Sequence, residues 1–232
     1  MFKDIEEIIS VFTFDVPGFQ YSRAVDEACS AVDRLLISGN ADFSFKKYLN
    51  IKSGGAGISD ATNEAYSIAA TALYNAALLA GLDIKERTPH EFQPGYVSPG
   101  LDSYVDGGDS DLRFSGGGKW PVLILADYDG NSITVMLAGK KEDPGLQIRI
   151  VTEVEQKYIH GTGTSFDPSI PKGEKRIVKE GRDGVRVGVY RIYSKTGGEI
   201  VKKEKISTDT YSAQEEVVLI GTAGSTPEPQ FK

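Results

Sequence analysis

The sequence predicts an α+β first half and an all-β second half, with the change near KKEDPG at residues 140–145. Three observations carry this reading. Apolar residues recur at helical spacing in two stretches before the change. An Asp-Gly-Asn turn divides the apolar run at 120–139. After residue 145 β-branched residues alternate or cluster between Gly, Pro and Asp, and no helical pattern survives.

Taken in order, AVDEACSAVDRLL at 24–36 places Val25, Ala28, Cys29, Val32, Leu35 and Leu36 on one apolar stripe, the signature of an amphipathic helix. AYSIAATALYNAALLAGL at 65–82 predicts a second, buried helix with Gly81 as its C-terminal cap. Its polar groups are few: Ser67, Thr71, Tyr74 and Asn75. WPVLILADYDGNSITVMLAG at 120–139 predicts a hairpin. Beyond it, QIRIVTEVEQ, KRIVKEG, VRVGVYRIYS, EIVKKEKIS and EEVVLIG read as strands. Only Leu146 and Leu219 remain as leucines there, and charges interrupt every strand, so a thin sheet is expected rather than a thick two-sheet core. The tail 223–232, with GSTPEPQFK, reads as a linker.

Charge narrows the partners. Residues 1–141 carry 12 Lys and Arg against 19 Asp and Glu, while residues 142–232 carry 14 of each. An acidic first half argues against nucleic acid, whose binding needs phosphate neutralisation. No apolar run reaches the roughly 18–20 residues needed to cross a bilayer. MFKDIEEIISVFTF lacks the basic start and apolar core of a secretory signal, which fits either a cytosolic protein or a chain whose export signal lies upstream. The single cysteine, Cys29, excludes an internal disulfide and a cysteine-rich metal site, and its place on the apolar stripe reads as core.

EGRDGVRVGVYRIYSKTGGEIVKKEKISTDTY resembles the G-five domain, a bacterial surface module. Gly173, Gly181, Gly184, Gly198 and Gly221 fall on its pattern, with the V-x-V-Y-R strand at 187–191 and the D-x-Y turn at 209–211. The match covers residues 146–222 and implies an elongated single-layer β fold that binds N-acetylglucosamine-containing polymers or acts as a stalk. It implies no catalytic residues. HGTG at 160–163, similar to a motif of cell-wall transpeptidases, reads here as a loop histidine.

YNAALLAGLDIKERTPHEFQPGYVSPGLDSYVDGGDSDLRF at 74–114 is similar to the VanW family, with FSF at 43–45 also fitting. Arg87, His90, Tyr96, Gly100, Asp102, Asp111 and Phe114 match its pattern over a domain spanning residues 1–141. The resemblance implies L,D-transpeptidase chemistry on peptidoglycan, in which a cysteine of a Gly-Gly-Gly-x-Cys-Gln motif attacks a peptide carbonyl and a histidine manages protons. Here that cysteine position holds Ser67, the glutamine position Ile68, and the three glycines become Asn63, Glu64 and Ala65. A hydroxyl is far less acidic than a thiol, and Glu64 opposes formation of an alkoxide.

The expected function is therefore a cell-surface or extracellular, non-catalytic protein that binds or spaces peptidoglycan or another N-acetylglucosamine-containing glycan. Arg87, Tyr96, Asp102 and Asp111 are its candidate binding residues, and no cofactor is implied. One alternative is acyl transfer on stem peptides through Ser67 and His90. Another is a structural stalk within a longer surface protein. The acidic set Asp102, Asp106, Asp109 and Asp111 carries oxygen ligands suited to calcium but lacks calcium-loop spacing, so no metal site is assigned.

Overall fold

A computed structural model describes residues 5–51, 59–116, 118–141 and 143–224. Residues 225–232, most of the expected linker, lie outside them. By packing, the chain divides into two compact units. The first comprises residues 1–90, 94–153 and 187–209; the second comprises 91–93, 154–186 and 210–232. Residues 146–153 and 187–209, though β in sequence character, thus pack with the first unit.

The first unit is α+β. Strand β1 (Glu7–Asp15) and helix α1 (Ser22–Val32) open it, followed by the short β2 (Leu36–Ile37) and β3 (Asp42–Ser44). Helix α1 buries Val25, Ala28, Cys29 and Val32, the expected stripe, but it stops four residues before the predicted end at 36. Arg34 takes a left-handed φ of 58°, which breaks the helix, and Leu36 starts β2 instead. After the single-turn α2 (Phe45–Tyr48) comes α3 (Asp60–Leu79), buried along most of its length. Ser59 caps its start by accepting from Thr62 N at 3.2 Å. Gly81, at φ 79°, closes its end: Gly81 N bonds Leu78 O and Leu82 N bonds Ala77 O, a Schellman pair that only a residue tolerant of positive φ permits cheaply.

Strands β4 (Ile84–Glu86) and β5 (Arg113–Ser115) form a small sheet with β3, in the order β3-β5-β4. The predicted hairpin is β6 (Val122–Tyr128) and β7 (Ser132–Gly139), turned by Gly130 at φ 94° with Asp129 Oδ1 accepting from Asn131 N and Ser132 N. It extends into the antiparallel sheet β1-β7-β6-β2. Alternation on β7 buries Ile133, Val135 and Leu137 in the core with Ile124 of β6 and Ile68, Leu73 and Leu78 of α3. The alanine content of α3 lets the sheet approach closely enough for Ser10 Oγ of β1 to donate to Ala76 O at 2.8 Å.

The remaining strands are β8 (Leu146–Tyr158), β9 (Thr162–Pro171), β10 (Lys175–Lys179), β11 (Gly184–Lys195), β12 (Ile200–Tyr211) and β13 (Glu216–Ala223). They make two three-stranded sheets, β12-β11-β8 and β10-β13-β9. In the latter, β13 runs parallel to β9 and antiparallel to β10. The all-β second unit is a single layer. Phe166 of β9 and Ile177 and Val178 of β10 are 71%, 50% and 52% exposed, so these strands leave large apolar side chains uncovered, with only Ile170 and Val218 of the sheet's large apolar residues buried among the described residues.

Candidate functional site

The chain segment 101–105 lies between α3 on one side and residues 87–90 on the other, and alternate residues serve each side. Towards α3, Asn75 Nδ2 donates to Leu101 O at 2.7 Å, Ser103 N donates to Thr71 Oγ1 at 2.9 Å, and Val105 N donates to Ser67 Oγ at 2.9 Å. Ser67, Thr71 and Asn75 are four residues apart and so share one helix face. Towards the other side, Tyr104 N bonds Thr88 O at 2.7 Å, and the Asp102 carboxylate meets Arg87 and His90. The three polar side chains of this face are thus partners of a neighbouring backbone.

Ser67 is fully buried. Its hydroxyl donates to Asn63 O one turn back at 2.8 Å, with Val105 O also at 3.2 Å, and accepts from Val105 N. Its hydrogen bonds run to main chain and not to the ring of His90.

Around Asp102 a charged network is assembled. Arg87 donates from Nε to Asp102 O at 2.6 Å and from Nη2 to Asp102 Oδ1 at 2.9 Å, while Nη1 lies 2.6 Å from Asp209 Oδ2. All three side chains are nearly inaccessible, and the guanidinium also covers the ring of Tyr74, with Cζ 5.1 Å from its centroid. Asp102 Oδ2 accepts from His90 N and sits 2.7 Å from His90 Nδ1. On the far side of the imidazole, Glu64 Oε2 stands 3.6 Å from Nε2, an ion pair too long for a hydrogen bond, and Nε2 is buried with no hydrogen-bond partner. Burial opposes the charged ring, yet the hydrogen bond to Asp102 and the Glu64 carboxylate outweigh it, and the His90 pKa rises to about 9. The two flanking carboxylates thus favour the protonated ring over the neutral one that a general base requires.

Tyr96 packs beside this cluster, its ring edge-on to His90 and stacked on Phe14. Its buried hydroxyl has no hydrogen-bond partner, and burial followed by the nearby Glu64 charge holds the phenol well above its ordinary range. Glu64 and Tyr96 line an open cleft of about 730 Å³ with Asp15, Gln20, Tyr21 and Pro94.

Other predicted residues fall elsewhere. Asp111 accepts from Ser44 Oγ at 2.6 Å and Lys46 N at 3.0 Å, tying down α2. Asp106 accepts from Gly108 N and Ser110 N, closing a turn. Among the described residues no group of three or more His, Cys, Asp or Glu is arranged to hold a metal ion. Cys29 is buried, and desolvation, followed by Asp26, Asp127 and Asp33, lifts its thiol to about 12. His160 of HGTG pairs with Asp183 in the second unit, at 2.6 Å from Nδ1. Sequence reasoning noticed Glu64 only as a charge beside Ser67; its place against His90 depends on the loop that brings residue 90 back to the start of α3. Asp209 was visible only as part of a turn motif.

The profile described as VanW like protein matches residues 22–138. The chain belongs to the VanW family. A G5 domain profile matches residues 150–223, so a VanW domain is followed by a G5 domain. Among curated proteins, uncharacterized protein YoaR of Bacillus subtilis (strain 168) is 28% identical over 127 residues, half of this chain and 42% of the relative. The chain therefore covers less than half the length of that relative. Among solved structures, the IgA1 protease G5 domain is 29% identical, with a TM-score of 0.25, over 37% of this chain and 100% of that one. HP0197-G5 is 22% identical, with a TM-score of 0.20, over 33% of this chain and 95% of that one. The VanW and G5 assignments together indicate a cell-envelope-associated protein. No helix among the described residues is long and apolar enough to cross a membrane.

Proposed function

We propose that this chain is a non-catalytic binding or spacing protein of the bacterial cell surface, acting on peptidoglycan or another N-acetylglucosamine-containing glycan. The observation that carries it is the pairing of His90 with both Asp102 and Glu64. A nucleophilic hydroxyl needs a neutral base within reach. The site offers instead a protonated ring between two carboxylates and a Ser67 hydroxyl bonded to backbone. The VanW cleft is then a recognition surface, while the exposed strands of the G5 domain supply the glycan contact. Phe166, 71% exposed on β9, offers a flat apolar face of the kind that packs on a sugar ring.

Retention of the intact chain on purified cell wall tests the reading. Binding that falls in Phe166→Ala, without any covalent adduct on Ser67 after incubation with stem peptide or a β-lactam, supports it. An acyl adduct lost in Ser67→Ala overturns it in favour of transpeptidase-like chemistry, and failure to bind wall leaves the chain a structural spacer. The intact chain is the right probe, because cutting after residue 140 would part Arg87 from Asp209.

A further inference from the structure

A separate pocket of about 300 Å³ lies wholly within the first unit, lined by residues 83–87 together with residues of β11 and β12. Two buried arginines line it, Arg87 and Arg191, and their charges are met very differently. Arg87 has Asp102 at 2.9 Å and Asp209 at 2.6 Å. Arg191, only 4% exposed, makes one close bond, from Nη2 to Leu82 O at 2.7 Å. Its Nη1 stands 3.4 Å from the Tyr193 hydroxyl and 3.5 Å from Glu204 Oε2. That Glu204 oxygen already accepts from Tyr193 at 3.0 Å, and its twin faces Lys202 at 3.4 Å. The Nε of Arg191 is buried with no hydrogen-bond partner. Arginine keeps its charge in an interior, and a buried charge calls for a close counter-ion and filled donors. The other carboxylates of the lining are engaged: Asp83 with Lys85, Glu86 with Arg113, and Asp209 with Arg87 and Ser207. The deficit is local to Arg191.

We infer that this pocket takes a carboxylate group of a ligand, anchored by the guanidinium of Arg191. One carboxylate oxygen accepts from Nε–H, and the charge supplies the close counter-ion that Glu204 does not. The lining limits that charge. Lys85, Arg87, Arg191 and Lys205 stand against Asp83, Glu86, Glu204 and Asp209, so one added negative charge answers Arg191, while the second charge of a phosphate meets only repulsion. The volume suits a carboxylate with few atoms attached, either the end of a peptide or the acid group of a sugar ring. The inference goes beyond the glycan-binding reading and rests on neither the VanW cleft nor Phe166.

Titration of the intact, nitrogen-15-labelled chain followed by NMR tests it, reading the Nε–H signal of Arg191 assigned through its own backbone. The probes are Nα-acetyl-alanine and glucuronate, each beside its carboxamide, and inorganic phosphate. The expected result is a saturable shift of that signal with one or both acids, at an affinity about tenfold or more above the matching amide, as a charge-assisted hydrogen bond requires. A response to the peptide acid alone identifies a chain terminus, to glucuronate alone a sugar acid, and to both a site that reads the carboxylate itself. Arg191→Gln should weaken the binding by a similar factor. Should that variant fold poorly for want of the bond to Leu82 O, the Nε–H signal of the unaltered chain still reads the contact directly. A signal that neither acid moves, equal binding of the amides, tighter binding of phosphate, or unchanged affinity in folded Arg191→Gln overturns the inference. Wall retention that depends on Phe166 would survive each of those outcomes, so the two proposals fail separately.

Discussion

Asp102 Oδ2 stands 2.7 Å from both the main-chain nitrogen and the ring Nδ1 of His90, so one carboxylate oxygen fixes the position of the histidine and the place of its proton. With Arg87 on the other oxygen, Asp102 is fully buried and paired on both sides.

The first prediction concerns pH. The His90 pKa is raised from 6.5 to about 9 in the folded state, so folding favours the protonated ring. Its contribution is fully present below pH 6.5 and is lost as pH rises through 9, a change of up to about 3 kcal/mol. Ring-proton NMR should place one of the two histidines near 9, assigned by its loss in His90→Gln. Denaturation free energy should fall across that interval, and by less in Glu64→Gln. A His90 titration near 6.5 would refute the charged-pair description.

Ser67→Ala removes the partner of a buried main-chain N–H, that of Val105. The expected loss is about 1–3 kcal/mol, read from the denaturation midpoint at constant slope. Ser67→Cys should bring no acylation by stem peptide, because the side chain at 67 is buried against the main chain of Asn63 and Val105 and is not paired with His90.

Arg87→Met leaves Asp102 and Asp209 buried without their shared cation. Loss of one partner from a buried charged pair costs about 3–5 kcal/mol. The variant should unfold at markedly lower denaturant, and Arg87→Met combined with Asp102→Asn and Asp209→Asn should recover part of the difference, which comparison of the triple variant with the single ones measures.

The glycines of the G5 domain should differ in tolerance. A Cβ on Gly221 would overlap the carbonyl oxygen of Pro171, a rigid main-chain neighbour across β13 and β9. A Cβ on Gly181 would meet only the ring of His160, a part-exposed side chain able to swing away. Gly221→Ala should therefore destabilise by about 1–3 kcal/mol and Gly181→Ala by less, the latter also giving up the His160–Asp183 contact. Thermal unfolding of the two variants compares them.

Much of this was legible from sequence where periodicity or turn chemistry speaks locally. The stripe of α1, the alanine-rich α3 with its Gly81 cap and the hairpin around Asp129-Gly130-Asn131 all came from short windows. Strand β1 did not, because Ile8, Ile9, Val11, Phe12 and Phe14 give no strict alternation and the pairing partner β7 is over a hundred residues away. The same limit applies to the site. Arg87, His90 and Asp102 were named from a motif, but their joint burial with Asp209, and the approach of Glu64 to His90, depend on tertiary closure. The sequence places Ser67 at the position of the family's cysteine, whereas its bond to Val105 depends on a segment 38 residues away.

The match between α3 and the segment 101–105 also limits how this protein can change length. Four helical residues advance about 6 Å and two extended residues about 6.6 Å, close enough for Ser67, Thr71 and Asn75 to meet residues 105, 103 and 101 in turn. Losing or gaining one residue there would turn Asp102 toward the helix and hand its place beside Arg87 to a neighbour. Substitution within 101–105 can be absorbed one contact at a time, whereas an insertion or deletion would exchange both sets of partners at once.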